Sequence, residues 1–175
     1  VSVRVCVVAC DAALSGRAKV LDQRAAAARA LAQLGLVDPP RIPGGAPLPA
    51  NGTYWSASHT QGAAGAATAE FPVGLDLERA RTLRTELARR FLSPSEPSIE
   101  PLVAWTAKEA VLKKLGLGMA GLSRCTIVAR ESDQRLRLAF DGARHDVHLA
   151  TRGDLFAALS HDGGFDAPIQ WEWPA

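Results

Sequence analysis

The sequence predicts an α+β fold of two similar α/β lobes, 1–70 and 71–175, in one intimate unit. Each lobe is expected to be a small, mostly antiparallel sheet packed on a long helix. Three observations predict this. Two stretches, Leu14–Leu36 and Ile99–Leu115, are rich in helix formers and end at or beside a glycine. Short apolar or alternating runs, separated by turn residues, surround them and read as strands. A faint internal echo links the halves: Tyr54-Trp55-Ser56-Ala57-Ser58-His59 resembles Phe156-Ala157-Ala158-Leu159-Ser160-His161, an aromatic strand running into Ser-His.

In chain order, Val1–Ala9 is Val-rich and reads as a strand. Leu14–Leu36 is Ala-rich helix with Gly35 as its stop signal. Asp38–Asn51 holds five prolines and two glycines and reads as a surface loop. Tyr54–Ser58 is a short strand. Gln61–Glu70, rich in Ala and Gly, is assigned as strand although alanine fits helix equally well. Phe71–Leu77 is the central strand, Arg79–Phe91 a charged helix and Ser93–Pro97 a turn. Ile99–Leu115 is the second long helix, closed by a Gly-rich loop from Gly116 to Gly121. Thr126–Arg130, Arg135–Phe140, Arg144–Ala150 and Leu155–Ser160 read as antiparallel strands, with Asp141-Gly142 as a hairpin signal. Asp162–Ala175 shows no clear period.

Composition narrows the function. The chain has 175 residues, 47% apolar and 22% charged, which suits a globular fold with a sizeable core. A net charge of +2 gives no argument for nucleic acid. No segment approaches a membrane span, and Val1–Ala9 lacks the charged start and length of a signal peptide. Cys6, Cys10 and Cys125 are odd in number and lack metal-site spacing, so they read as free thiols of a reducing cytoplasm. The chain does not begin with Met, which fits a processed start or a domain of a larger protein.

The chemistry concentrates in two stretches. Within the second long helix, Trp105, Glu109 and Lys113 are four residues apart and share a face. Gly74-Leu75-Asp76-Leu77-Glu78 alternates carboxylates with leucines, so Asp76 and Glu78 point to one face of a strand. Asp76, Glu78 and Glu109 would then form an oxygen cage for a hard cation such as Mg²⁺. Lys108 and Lys113 beside it suit a phosphate ester. The plain alternatives are a solvated strand end and an ordinary Glu–Lys helix pair.

The wording of these motifs resembles the 4′-phosphopantetheinyl transferases, of the surfactin-synthetase-activating type. That family carries Gly-x-Asp-x-Glu, Phe-x-Ser-x-x-Glu and Trp-x-x-Lys-Glu-Ala-x-x-Lys. They stand here as Gly74–Glu78, Phe91–Glu96 and Trp105–Lys113, preceded by a Ser-x-Ser-His motif at Ser56–His59. The four motifs follow the family's order. The resemblance implies two lobes related by a pseudo-twofold. It implies Mg²⁺-dependent transfer of the 4′-phosphopantetheine arm of coenzyme A to a serine of an apo carrier protein, with release of 3′,5′-ADP. The acceptor would be an acyl, polyketide or peptidyl carrier protein, and the chain a monomer or a domain of a larger synthase.

Under that resemblance Asp76, Glu78 and Glu109 hold the metal, and Glu109 is also a candidate base. Lys113 holds the α-phosphate, and Lys108, Ser58 and His59 face coenzyme A. One departure stands out: the family's Gly-Lys-Pro or Gly-Arg-Pro reads Gly45-Ala46-Pro47 here, so the basic residue for the 3′-phosphate is missing. Arg41, or Arg24 or Arg29 on the first long helix, would replace it. The departure also admits a catalytically weak or inactive relative that binds coenzyme A or a carrier. Trp105 is expected in the core rather than as an adenine platform. His145, His148 and His161 are expected to be structural. The carrier is expected to dock over Gly116–Leu122, helped by Arg79, Arg81, Arg84, Arg89 and Arg90.

Overall fold

The computed structural model describes every residue except Val1, Gly44 and Ala175. The start of the first predicted strand, one loop glycine and the last tail residue therefore lie outside the described residues. The chain is mixed α/β with two sheets and a few helices. Strand β1 (Val3–Ala9) is followed by helix α1 (Gly16–Gln33), β2 (Tyr54–Thr60), β3 (Ala63–Ala69) and β4 (Val73–Arg79). After a one-turn helix α2 (Thr85–Ala88) come α3 (Pro101–Lys114) and a 3₁₀ segment, Met119–Arg124. Strands β5 (Thr126–Ser132), β6 (Arg135–Phe140), β7 (Ala143–Arg152), β8 (Leu155–His161) and β9 (Ile169–Glu172) complete the chain.

The first sheet has the order β2-β3-β1-β9 and the second β4-β8-β7-β6-β5. Pairing is antiparallel throughout, except that β9 runs parallel to β1. Alternation along β1 explains the layering. Val3, Val5 and Val7 face Leu75, Leu77, Leu155 and Leu159 of the second sheet. Cys6 faces the other way, into a cluster with Ala30, Leu31 and Leu34 at the end of α1. On the far face of the second sheet, Leu102, Ala104, Trp105, Val111 and Leu112 of α3 pack on Ile127, Leu136, Leu138 and Val147. Trp105 meets Phe91 edge to face at 5.2 Å, the core role expected of it.

Strand β3, Ala-Ala-Gly-Ala-Ala-Thr-Ala, is buried along its whole length. Its small side chains let α1 and the second sheet approach from opposite sides, which decides for strand where propensity alone could not. The Asp141-Gly142 hairpin forms as expected, with both residues at positive φ, 49° and 82°.

Three expectations are corrected. The charged helix over Arg79–Phe91 shrinks to Thr85–Ala88. Strand β4 continues through Arg79, and the Ala80 N–H donates to the Asp154 carbonyl at 2.7 Å, extending the pairing with β8. Arg79 and Arg81 are drawn to Asp154 and Glu78 instead of to helical neighbours. The Gly-rich loop after α3 is partly 3₁₀: Gly116 ends α3 at φ 68°, and Met119–Arg124 coils with Leu122 buried. The tail without a period supplies β9, whose Trp171 stacks at 5.5 Å on Trp173, just past the strand. Among the described residues no helix is long and apolar enough to cross a membrane.

The sheets also meet edge to edge. Strand β4 is an edge of its sheet, so alternate N–H groups lack ladder partners. Hydroxyls of β2 supply them at the same period of two. Ser56 Oγ accepts from the Leu75 N–H at 3.0 Å, Ser58 Oγ from Leu77 at 3.1 Å and Thr60 Oγ1 from Arg79 at 3.1 Å. On the other side, α3 lies directly on Gly74. A Cβ there would fall 2.0 Å from the Ala110 carbonyl oxygen and 2.4 Å from the Lys114 nitrogen.

Two predictions follow from this packing. Gly74→Ala must push α3 off β4, and should lower stability by about 2–3 kcal/mol or more, read as the urea midpoint; a wild-type midpoint would contradict the contact. His161 is buried and stacks on His148 at 5.0 Å. Burial first, then His148 and Lys114, push its pKa down from 6.5 to about 4. The unfolded chain therefore takes up this proton at higher pH than the folded one. The His161 contribution is complete above pH 6.5 and is lost as pH falls towards 4. His161→Phe should flatten the fall of the urea midpoint across that window, and an unchanged slope would contradict the assignment.

Candidate active site

The site lies where β2, β4 and α3 converge. Asp76 is 3% exposed, on the β4 face that α3 covers. A buried carboxylate needs partners, and Oδ1 has two: Lys113 Nζ donates at 2.7 Å and Ser58 Oγ at 2.9 Å. Lys113 Nζ also donates to Ser58 Oγ at 2.9 Å. Ser58 therefore gives its proton to Asp76 while accepting from Lys113 and the Leu77 N–H, a full use of one hydroxyl. Asp76 Oδ2 is buried and, among the described residues, accepts no hydrogen bond.

Glu109 faces this cluster from α3. Burial first, then the Asp76 charge, raise its pKa from 4.5 to about 7; Lys113 pulls it down and Glu78 pushes it up. Such a carboxyl is half-charged near neutral pH, as a group that moves protons must be. The Glu109 stabilising contribution is complete below pH 4.5 and is lost as pH rises through about 7. Glu78 sits at the rim, accepting from Arg81 at 3.1 Å and from Thr60 Oγ1 at 3.5 Å.

The expected three-carboxylate cage is not closed. Among the described residues no three His, Cys, Asp or Glu side chains converge on one point. The reason is visible in the partners: Lys113 holds Asp76 Oδ1 and Arg81 holds Glu78. The donor chemistry still suits a hard divalent ion in part. Asp76 Oδ2 is an orphaned buried acceptor, and Glu109 carries carboxylate repulsion that a cation would relieve. Mg²⁺ commonly takes only one or two protein carboxylates and fills its shell with water and phosphate oxygens.

A cavity of about 500 Å³ opens beside Ser58 and His59, bounded by Arg24, Leu31, Arg41 and Trp55. Four residues proposed from sequence to face coenzyme A, Arg24, Arg41, Ser58 and His59, thus line one space. The Arg41 guanidinium covers the Trp55 ring at 4.2 Å and donates to the Gly45 carbonyl at 2.9 Å. Loss of solvent, then the Lys113 ammonium, push the His59 pKa below 6.5. Both effects favour the neutral imidazole. A neighbouring space of about 300 Å³ runs from Arg41 and Ala46 to Lys113 and Leu117.

Lys108 does not belong to this site. It is 0% exposed and points away, donating to Glu96 at 2.8 Å and to the Phe91 carbonyl oxygen. The helical stripe explains the error: Lys108 is one position from Glu109 and so about 100° around α3. Sequence reasoning also missed Glu96 as its partner, although Glu96 closes the Phe-x-Ser-x-x-Glu motif. The docking loop is exposed at Leu117 (45%) and Met119 (60%), whereas Leu122 is buried at 7%.

The charges around Glu109 give a direct check. In chelator, Asp76→Asn should lower the Glu109 pKa and Lys113→Gln should raise it, as read by carboxyl carbon NMR titration. Identical titration in all three proteins would contradict the arrangement.

No curated protein matches the chain. A family model described as the 4′-phosphopantetheinyl transferase superfamily matches residues 72–160, just over half of the 175 residues and the span from β4 to β8. That span carries the strand-end carboxylates, the buried turn motif and the Glu109–Lys113 helix, so the chain belongs to the 4′-phosphopantetheinyl transferase superfamily.

Proposed function

We propose that this chain transfers the 4′-phosphopantetheine arm of coenzyme A to a serine hydroxyl of an apo carrier protein, releasing 3′,5′-ADP. The superfamily match supports a transferase acting on carrier proteins with coenzyme A as the donor. The observation that carries the finer reading is the Asp76–Ser58–Lys113 cluster with Glu109 opposite, opening on a cavity walled by Arg24, Arg41 and His59.

In this reading the cavity takes the adenosine 3′-phosphate, with Arg41 or Arg24 supplying the cation absent at Ala46. Trp55 holds the Arg41 guanidinium in place and partly dry, which strengthens a bond to phosphate. His59 offers a hydrogen bond to the pyrophosphate. Lys113 moves from Asp76 to the α-phosphate and steadies the leaving 3′,5′-ADP. The acceptor serine oxygen attacks the β-phosphorus, the bond from that phosphorus to the ADP oxygen breaks, and the serine proton leaves to a base. Glu109 is the candidate for that base. Mg²⁺ held by Asp76 and Glu109, with Glu78 in or near its shell, would neutralise charge on the phosphates.

The lobes 1–70 and 71–175, their pseudo-twofold and the surfactin-synthetase-activating subgroup belong to the same reading, as do a monomer and a cytoplasmic setting. Free Cys6, Cys10 and Cys125 are consistent with a reducing compartment. The carrier would meet the exposed Leu117 and Met119. Ala46 favours one alternative, a weak or inactive relative that binds coenzyme A or a carrier.

Incubation with coenzyme A, Mg²⁺ and an apo acyl carrier protein should add the mass of the arm to the carrier. Asp76→Ala, or excess chelator, should reduce turnover at least about 100-fold while leaving the fold intact. Binding of coenzyme A without any mass shift would replace this reading with the inactive relative. Full turnover in chelator would remove the metal from it.

A further inference from the structure

We infer that Glu96 and Lys108 form a buried positioning pair that fixes the rotation of α3, and with it the aim of Glu109 and Lys113. The inference rests on the transferase reading for its consequence, although not for its geometry. Lys108 Nζ and Glu96 Oε1 are 2.8 Å apart, with side chains 0% and 3% exposed. The pair joins three separate elements. Glu96 Oε1 also accepts from the Ser93 N–H at 2.7 Å, in the turn before α3. Glu96 Oε2 accepts from the Ile127 N–H at 2.9 Å, at the start of β5. Lys108 reaches the Phe91 carbonyl oxygen from within α3. Cys125 is buried beside the pair and is pushed up to about 12, so it carries no charge there.

A buried ion pair is a poor way to gain stability, because desolvating both charges offsets most of their attraction. It is a good way to specify one orientation. The apolar contacts of α3 with the second sheet are non-directional and tolerate small rotations. The backbone contact at Gly74 sets how close α3 lies to β4, and Lys113 and Lys114 tie its C-terminal end to Asp76 and Asp162. Lys108 fixes the rotation at the middle of the helix, since its ammonium must meet two oxygens fixed by other elements. Glu109 follows Lys108 directly and Lys113 lies five residues on, so both side chains inherit the angle. A misplacement of about 1 Å is enough to cost about 100-fold in rate.

The test uses the full chain with Glu96→Leu and Lys108→Met combined, which removes both charges and refills the space. Two quantities are read: transfer kinetics with coenzyme A, Mg²⁺ and an apo acyl carrier protein, and amide hydrogen exchange along α3. The expected result is a folded variant with a lower urea midpoint, because the Ser93 and Ile127 N–H groups and the Phe91 carbonyl lose their partners, a kcat at least about 10-fold lower with KM for coenzyme A within about 3-fold, and exchange across residues 105–113 at least about 10-fold faster than in the rest of the variant's core. Should the double variant not fold, the isosteric Glu96→Gln is read by the same two measurements. Wild-type exchange in the folded variant overturns the positioning role, and so does an unchanged kcat. Absence of transfer by the wild-type chain overturns the transferase reading instead, and leaves the exchange result to decide this one.

Discussion

The hydroxyl ladder between β2 and β4 is the constraint on which the rest of the structure depends. Two sheets meeting at their edges would leave the alternate N–H groups of β4 buried and unpaired, at about 1–3 kcal/mol each. Ser56, Ser58 and Thr60 satisfy those at Leu75, Leu77 and Arg79. The period of two in β2 matches the period of two in β4, so one register is favoured over a slip of one residue. That register puts Ser58 against Asp76 on one side of β2. On the other side it turns Trp55, Ala57 and His59 towards the cavity under α1. A motif that looks like a ligand-binding signature is thus also the joint between the sheets.

The second constraint is the buried charge of Asp76. In a low-dielectric setting it requires a cation within reach, and Lys113 supplies one. Helix α3 brings Lys113 there because β4 offers no side chain at Gly74 and the helix backbone lies against it. The same approach brings Glu109 towards two carboxylates, and its pKa rises to about 7. The site therefore holds a destabilised acid next to a fully used hydroxyl and a movable ammonium. Such arrangements cost stability, and they gather where chemistry is done. The cavity beside them adds arginines and a histidine, which suit a ligand with phosphate at more than one point.

Much of this was legible in the sequence. Alternation in Gly74–Glu78 placed Asp76 and Glu78 on one face. The four-residue spacing in α3 placed Glu109 and Lys113 on another, and the Ala-rich helix, the Asp141-Gly142 turn and strands β5 to β8 followed from local pattern. What failed was non-local. Its place next to Glu109 puts Lys108 beside the carboxylates and a phosphate ester, whereas its partner Glu96 lies twelve residues earlier and becomes visible only when the turn folds back. The Arg-rich segment after β4 looked helical until pairing with β8 and ion pairs to Asp154 and Glu78 drew it out. Strand β9 had no period to read, because its partner β1 lies at the other end of the chain. Spacing brings the acids together, but does not show the Lys113 and Arg81 side chains that take up oxygens of Asp76 and Glu78.

The most direct measurement of the central claim is a crystal structure of the chain with coenzyme A and Mg²⁺. The account predicts the adenosine 3′-phosphate in the cavity between α1 and Trp55, beside Arg41 or Arg24. It predicts the pyrophosphate at Asp76, Glu109 and Lys113, with Lys113 turned from Asp76 to phosphate. Coenzyme A bound elsewhere, such as the cleft of Ile99, Val103 and Phe156 on the far side of α3, with Lys113 still on Asp76, would contradict it.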